Sequence, residues 1–305
     1  MKPSKYGPFD FSGIDERPPL KWPNGAKVAL WVVPNIEVFH LDTALPGDNQ
    51  NRPVGSEKTP MVREWAQRDF GNRVGVWRVM RVLEKHGIRA TVALNSDICE
   101  HMPSIVHAAG KLGWEFMGHG RTNTHRVNEI PPEEERAMIK TTFDTIERTS
   151  GMRPVGWLGP GLQETWNTLD YLLENGCEYV ADWVNDDQPY MMNVDGKPLV
   201  SLPYSFEIND SAFFWRHKQS VPEWERMVKD ALEVLLEEGE ISGRVLCISL
   251  HPFIIGQAHR IGGLDRCLEH ILSHEGVWAA TGTEIMQAWL AATGMTDGVL
   301  PPEMR

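Results

Sequence analysis

The chain has 305 residues, a hydrophobic fraction of 41% and a formal net charge of -12. That balance fits a globular α/β protein and argues against a general nucleic-acid binder, which needs a basic face. No apolar run approaches the roughly 18 residues of a membrane span, and the N-terminal residues Met1-Lys2-Pro3-Ser4-Lys5 open no signal-peptide core. The expectation is therefore a cytoplasmic protein with neither a nucleic-acid nor a membrane partner. Cys99, Cys177, Cys247 and Cys267 form no CxxC pair, so neither a zinc finger nor a disulfide framework is read. Cys177 and Cys247 lie in apolar segments and read as small core residues.

The first 26 residues are rich in Pro and Gly and read as a wrapping arm. Residues 27–33 (KVALWVV) form a short buried strand. Residues 40–72 read as a long polar loop, punctuated by Pro46, Gly47, Pro53, Gly55 and Pro60. Helical spacing of apolar residues over 74–87, closed by Gly87, predicts an amphipathic helix.

Alternation follows. Strands are predicted at 89–94, 114–118, 155–158, 179–184, 199–202 and 245–250. Helices are predicted at 103–113, 132–149, 164–175, 222–238, 264–273 and 283–293. The helix at 132 opens with Pro132 and three glutamates, Glu133, Glu134 and Glu135, at its positive end. Six or seven strands alternating with helices imply a parallel sheet or barrel. With no repeat or linker visible, residues 1–305 are expected to form one catalytic domain.

Three strand ends carry titratable side chains. Glu37 follows the first strand, and His119 follows Trp114-Glu115-Phe116-Met117-Gly118. His251 follows Val245-Leu246-Cys247-Ile248-Ser249-Leu250. Polar groups placed where apolar strands run out are how α/β enzymes build a pocket at one mouth of the sheet. Each residue alone could be an ordinary surface or structural group; three together point to a hydrolase. Desolvation at a strand end is expected to raise the Glu37 pKa. Asp182, Asp186 and Asp187 could orient a histidine, bind substrate amides or form an acidic turn, and Asn209 and Asp210 are weaker candidates. Trp157, Trp166, Trp183 and Trp215 could wall a pocket around a flat ring, although most tryptophans must be core or interface. Gly159-Pro160-Gly161 lacks the spacing of a dinucleotide loop, and neither a nucleophile elbow nor a Walker A loop is present.

Five short stretches in this order resemble the polysaccharide deacetylase superfamily: Gly75-Val76-Trp77-Arg78, Gly113 to Gly120, Gly156-Trp157-Leu158-Gly159-Pro160, Asn185 to Tyr190 and Leu250-His251-Pro252. Within it, the chain looks most like the branch of metal-independent allantoinases and cyclic imide hydrolases. The resemblance implies a deformed seven-stranded (β/α) barrel. Metal-dependent members end the first strand with two aspartates and place two histidines four residues apart. Here the matching positions are Asn35 with Glu37, and His119 with Asn123, while His125 lies two residues further. A carboxamide does not titrate, so Asn35 cannot be the base.

The resemblance therefore implies ring opening of a small cyclic amide, imide or ureide. His251 would be the leaving-group acid, Glu37 would activate water, and His119 would be a ligand or oxyanion donor. Asn35, Asn123, Trp157, Asp182 and Asp187 would bind substrate. Val38-Phe39-His40-Leu41 makes that pocket edge more apolar than in allantoinases, which puts allantoin itself in doubt. The alternative is a deacetylase of an N-acetylated sugar or other N-acyl compound, with zinc held by Glu37, His119 and either Asn123 or His125. A third reading is a non-catalytic metabolite binder. The tryptophan count and the long loop suit a homo-oligomer, a dimer or the tetramer implied by the resemblance.

Overall fold

A computed structural model of the chain describes residues 2–45 and 59–295. After the arm, β1 (Val28–Ile36) leads across to α1 (Val62–Phe70), a π turn (Gly71–Gly75) and α2 (Val76–Lys85). Then come β2 (Thr91–Leu94), α3 (Ser96–His101), α4 (Pro103–Lys111), β3 (Glu115–Gly118), α5 (Pro132–Ser150), β4 (Gly156–Trp157), α6 (Thr168–Glu174) and β5 (Tyr179–Val180). A hairpin of β6 (Tyr190–Val194) and β7 (Lys197–Ser201) precedes α7 (Val221–Gly239). The chain closes with β8 (Arg244–Leu250), α8 (Ile261–Leu272), β9 (Val277–Ala279) and α9 (Gly282–Thr293).

The sheet order is β6-β7-β5-β4-β3-β2-β1-β8, with β9 added beside β1. All pairings are parallel except β6 with β7, so the seven strands β7, β5, β4, β3, β2, β1 and β8 make the expected deformed barrel. Helices wrap its outside, as parallel strands buried on both faces require.

Strand parity decides what lies inside. Successive side chains point to opposite faces. On β1, Val28, Leu30, Val32 and Ile36 join the core beneath the helices, whereas Ala29, Trp31 and Val33 join the cluster inside the barrel. On β8, Leu246, Ile248 and Leu250 face the helices, and Val245 and Cys247 face inward. Trp31, Tyr179 and Tyr204 meet edge to face at 6.4 and 6.5 Å and fill the interior. The inward series continues beyond the strand ends: Asn35 and Glu37 after β1, His119 after Met117, and Ser249 and His251 after Cys247.

No strand ladder joins β7 to β8 among the described residues. The seam is bridged instead. Val245 donates its N–H to the Asp187 carbonyl at 2.9 Å, and the Gln188 amide donates to Ser242 Oγ at 2.8 Å and to the Gly243 carbonyl at 2.7 Å. The arm reinforces the bridge: Arg17 meets Asp186 at 2.8 Å, Leu20 N–H donates to Ser242 Oγ and Trp22 Nε1 donates to the Arg244 carbonyl, both at 2.9 Å. Behind this seam lies a cavity of about 1670 Å³, lined by residues that include Phe11, Tyr204, Val234 and Trp289. Glu37, His119 and His251 do not line it.

Three expectations need correction. The 40–72 segment is not all loop, because residues 62–70 are helical; residues 46–58 of it lie outside the described residues. The strand expected at 179–184 stops at Val180, and a hairpin precedes the strand expected at 199–202. Its two-residue turn is Asp195-Gly196, with φ of 49° and 86°, the left-handed pair that a tight hairpin requires. α3 and β9 were not expected at all. Among the described residues no helix is long and apolar enough to cross a membrane.

Candidate active site

Glu37, His119 and His251 converge at the C-terminal mouth of the barrel, as parity dictates. Register brings them level: Ile36 pairs with Leu94, Leu94 with Gly118, and Pro34 with Leu250. Glu37 Oε1 lies 3.4 Å from His119 Nε2 and 3.6 Å from His251 Nε2. The three residues are 7, 2 and 8% exposed, so the constellation is nearly closed to solvent.

Each member is held by a partner. Asn72 Nδ2 donates to the Glu37 carbonyl at 2.8 Å. His119 Nδ1–H donates to the Leu158 carbonyl, and its Nε2 faces Glu37. Both ring nitrogens therefore face oxygen acceptors. Asp210, wholly buried, takes Nδ1–H of His251 on one oxygen and its backbone N–H on the other. Asp210, a weaker candidate from sequence, is the side chain that holds His251; it stands beyond an irregular segment, where neither strand period nor spacing marks it.

The charges follow from this packing. Burial would lower the His251 pKa, but the charges of Asp210 and Glu37 outweigh it and raise it to about 10. Burial would raise the Glu37 carboxyl, but the charge of His251 and hydrogen bonds from His119 and His251 win, and it falls to about 2. The expectation that desolvation raises Glu37 is overturned by these two imidazoles. The site holds an ion pair that is ionised throughout the neutral range.

Asn123 tests whether the donors suit a metal. Its Nδ2 donates to Glu37 Oε1 at 2.6 Å, and its Oδ1 accepts from Asn95 Nδ2 at 2.9 Å. The Asn95 orientation is fixed in turn, because its Oδ1 accepts the Val38 N–H at 2.9 Å and its Nδ2 also donates to the His119 carbonyl. A backbone amide thus sets Asn95, which sets Asn123 with its NH₂ toward the carboxylate. Asn123 presents a donor, not a carbonyl ligand, to Glu37. His125 is exposed. Among the described residues no group of three His, Cys, Asp or Glu side chains is placed to hold a metal ion. The zinc set Glu37, His119 and Asn123 or His125 does not fit this arrangement.

The other expected residues scatter. Asn35 donates to Tyr204 Oη at 2.9 Å and to the carbonyls of Val33 and Leu250, so its amide braces β1 against β8. Trp157 has outward parity and stacks on Phe143 at 6.0 Å, inside the core beneath α5 and α6; it is no pocket wall. Asp187 lies at the β7–β8 seam, away from the imidazoles. Asp182 sits beside the Leu158–Gly159 peptide, accepting the Gly159 N–H at 2.6 Å. On the other side, the rings of Trp215 and Phe253 lie 5.1 Å apart, and the Arg68 guanidinium stacks over Phe39 and Trp215 at 4.7 and 5.3 Å. Phe253 also meets the His251 ring edge to face at 5.5 Å.

The chain shares sequence and fold with known proteins. Residues 68–180 match the sequence profile of the polysaccharide deacetylase family. A protein of Schizosaccharomyces pombe, described as a polysaccharide deacetylase, is 29% identical over 312 residues, covering 91% of this chain and 94% of that protein. A crystal structure described as a polysaccharide deacetylase from Pseudomonas aeruginosa superposes with a TM-score of 0.82 at 26% identity, covering 91% of this chain and 95% of that one. The structure of the PuuE allantoinase also gives a TM-score of 0.82 at 26% identity, covering 96% of this chain and 100% of that one.

Proposed function

We propose that this polysaccharide deacetylase homologue opens a small cyclic amide, imide or ureide by hydrolysis. Its reaction class is hydrolysis of a non-peptide carbon–nitrogen bond. The observation that carries the finer reading is the near-complete burial of Glu37, His119 and His251. A polymer chain needs an open groove, whereas a compact ring can be enclosed. The aromatic side formed by Phe39, Trp215 and Phe253 suits a flat ring, and the allantoinase neighbour supports the reading.

The chemistry follows from the charges. A water beside Glu37 attacks the substrate carbonyl carbon and gives its proton to the carboxylate. The developing oxyanion is stabilised by the His119 Nε2–H, aimed before the reaction begins. His251 passes its Nε2 proton to the departing ring nitrogen, and the C–N bond breaks. The new carboxylic acid stays in one molecule with the released nitrogen, which is an amine from a cyclic amide, an amide from an imide or a urea from a ureide. A carboxylate with a pKa of about 2 is a weak base at rest. The weakness is conditional, because the cation that depresses Glu37 is the proton donor itself. As His251 loses its proton, Glu37 becomes more basic, so acid and base steps reinforce each other. Asp210 keeps the imidazole oriented through the cycle.

The test is metal analysis with activity assays on protein purified without a metal-affinity tag, using a cyclic imide and an N-acetylated amine. Ring opening by chelator-treated, metal-poor protein is expected. Stoichiometric divalent metal with chelator-sensitive deacetylation would replace this reading by the metal-dependent one.

A further inference from the structure

The Leu158 carbonyl and the Gly159 N–H belong to one peptide unit. The carbonyl accepts His119 Nδ1–H, and the N–H donates to Asp182 Oδ1 at 2.6 Å. A peptide is a delocalised group, so an anion on its N–H strengthens its oxygen as an acceptor, and such chains are cooperative. Asp182 is only 8% exposed, so its charge is poorly screened. The approach depends on glycine: a Cβ at residue 159 would lie 2.7 Å from the Gln163 carbonyl oxygen and 3.2 Å from Asp182 Oδ2.

Asp182 Oδ2 is buried and accepts no hydrogen bond from an N–H or a hydroxyl. The carboxyl of Glu164 interacts with the Asp182 side chain, and its Oε1 accepts the Trp183 Nε1–H at 3.0 Å. Two ionised carboxylates there would repel each other; one proton on Glu164 supplies the donor that Oδ2 lacks.

We propose that Asp182 is a positioning residue for His119, acting through the Leu158–Gly159 peptide, and that Glu164 keeps Asp182 charged by carrying the proton the pair shares. The proposal rests on the reading above for the role of His119 as oxyanion donor. It makes the site symmetrical in principle: Asp210 holds one imidazole directly, and Asp182 holds the other across a peptide. The groups facing the pair are Glu135 from α5, already engaged by the hydroxyls of Thr165 and Thr168, together with His119, Cys177 and Tyr190. Burial and then the charge of Asp182 push Glu164 well above the carboxylate range. Burial also raises Asp182, to about 6, against the Gly159 N–H, the Glu164 proton and His119. At neutral pH Asp182 is the charged member.

The experiment is ¹⁵N NMR of histidine-labelled, substrate-free full-length protein, with His119→Gln to assign the ring. At pH 7.5 the wild type should show a downfield His119 Nδ1 proton, a signature that moves upfield as pH falls through about 6 and Asp182 takes up a proton. Asp182→Asn should lose it at pH 7.5. Glu164→Ala should lose it too, because Oδ2 then has no donor, whereas Glu164→Gln, whose amide can donate to Oδ2, should restore it. In turnover, Asp182→Asn should lower kcat roughly tenfold or more with KM little changed, the scale of removing an outer partner of a functional imidazole. A folded Asp182→Asn protein with wild-type His119 shifts would overturn the proposal. So would a wild-type signature constant from pH 5 to 8, which decides the matter even where variants fail to fold. The spectra need no substrate, so failure to find turnover strikes only the functional reading.

Discussion

Asp210 grips His251 twice, with Oδ1 2.7 Å from the ring Nδ1 and Oδ2 2.8 Å from the backbone nitrogen. One carboxylate thus fixes both the position of the residue and the rotation of its ring, leaving Nε2 aimed at Glu37. Replacing Asp210 by Asn removes the charge while leaving the volume. We expect kcat to fall by about 10²–10⁴-fold, the usual worth of a positioned acid. Steady-state kinetics check this, and a folded Asp210→Asn enzyme with unchanged kcat would contradict the role given to His251.

The pH dependence of stability has a definite sign. His251 is raised from 6.5 to about 10 in the folded state, so its contribution is complete below 6.5 and lost as pH rises through about 10. Glu37 is lowered from 4.5 to about 2, so its contribution is complete above 4.5 and lost as pH falls through about 2. Both are fully present only between those windows, near pH 4.5–6.5. Urea midpoints of wild type and His251→Ala should converge as pH is raised from 6.5 toward 10. A difference that stays constant across that interval would refute the ion pair.

The Asn95–Asn123 relay should matter to chemistry more than its distance from the substrate suggests. Asn95→Ala leaves the Val38 N–H and the Asn123 carbonyl oxygen without partners and releases Asn123 to rotate. The expected cost is about 1–3 kcal/mol in stability, read by denaturant titration, together with a lower kcat. If the variant gains stoichiometric zinc, freeing the Asn123 carbonyl has created the ligand that the relay suppresses.

A position remote in sequence should also reach His251. Gly75 lies in the π turn before α2, and a Cβ there would fall 2.0 Å from the carbonyl oxygen of Pro252, the residue after His251. Gly75→Ala must displace one backbone from the other. Overpacking of this kind costs about 1–3 kcal/mol. Thermal unfolding should show the loss, and kcat should drop because the displaced turn carries the imidazole. Unchanged melting and kcat would mean that the two backbones can separate freely.

Much of the site was legible in the alternation of single strands. The inward series Ala29, Trp31, Val33, Asn35 and Glu37 can be read from the sequence once the barrel is assumed, and so can Cys247, Ser249 and His251. The same count places Trp157 outward, since its neighbour Leu158 belongs to the interior cluster. The indole chemistry of Trp157 suggests a pocket wall, but its position on the strand argues against one. The Asp195-Gly196 hairpin was equally visible in its turn residues. Asp210, Asn95 and Glu164 are less accessible, because their roles depend on contacts between residues 18 to 57 positions apart. Pairings such as Asp210 with His251 or Asn95 with Asn123 have no local period. The lowered pKa of Glu37 was hidden for a related reason: burial could be inferred from one strand, but two opposing imidazoles could not.

The seam between β7 and β8 gives the barrel an adjustable girth. A ring closed by a continuous ladder has its circumference fixed by strand number and stagger. Here the last gap is spanned by Gln188, the Asp187 carbonyl, Arg17 and the arm residues Leu20 and Trp22. Exchanging one of these side chains for a longer or shorter one resizes the ring as a shim resizes a joint. Because β8 carries His251 and β1 carries Glu37 on the same stretch of wall, a change at the gap is shared along the strands to the mouth. Substitutions far from the chemistry can thereby tune the 3.6 Å between acid and base without touching either.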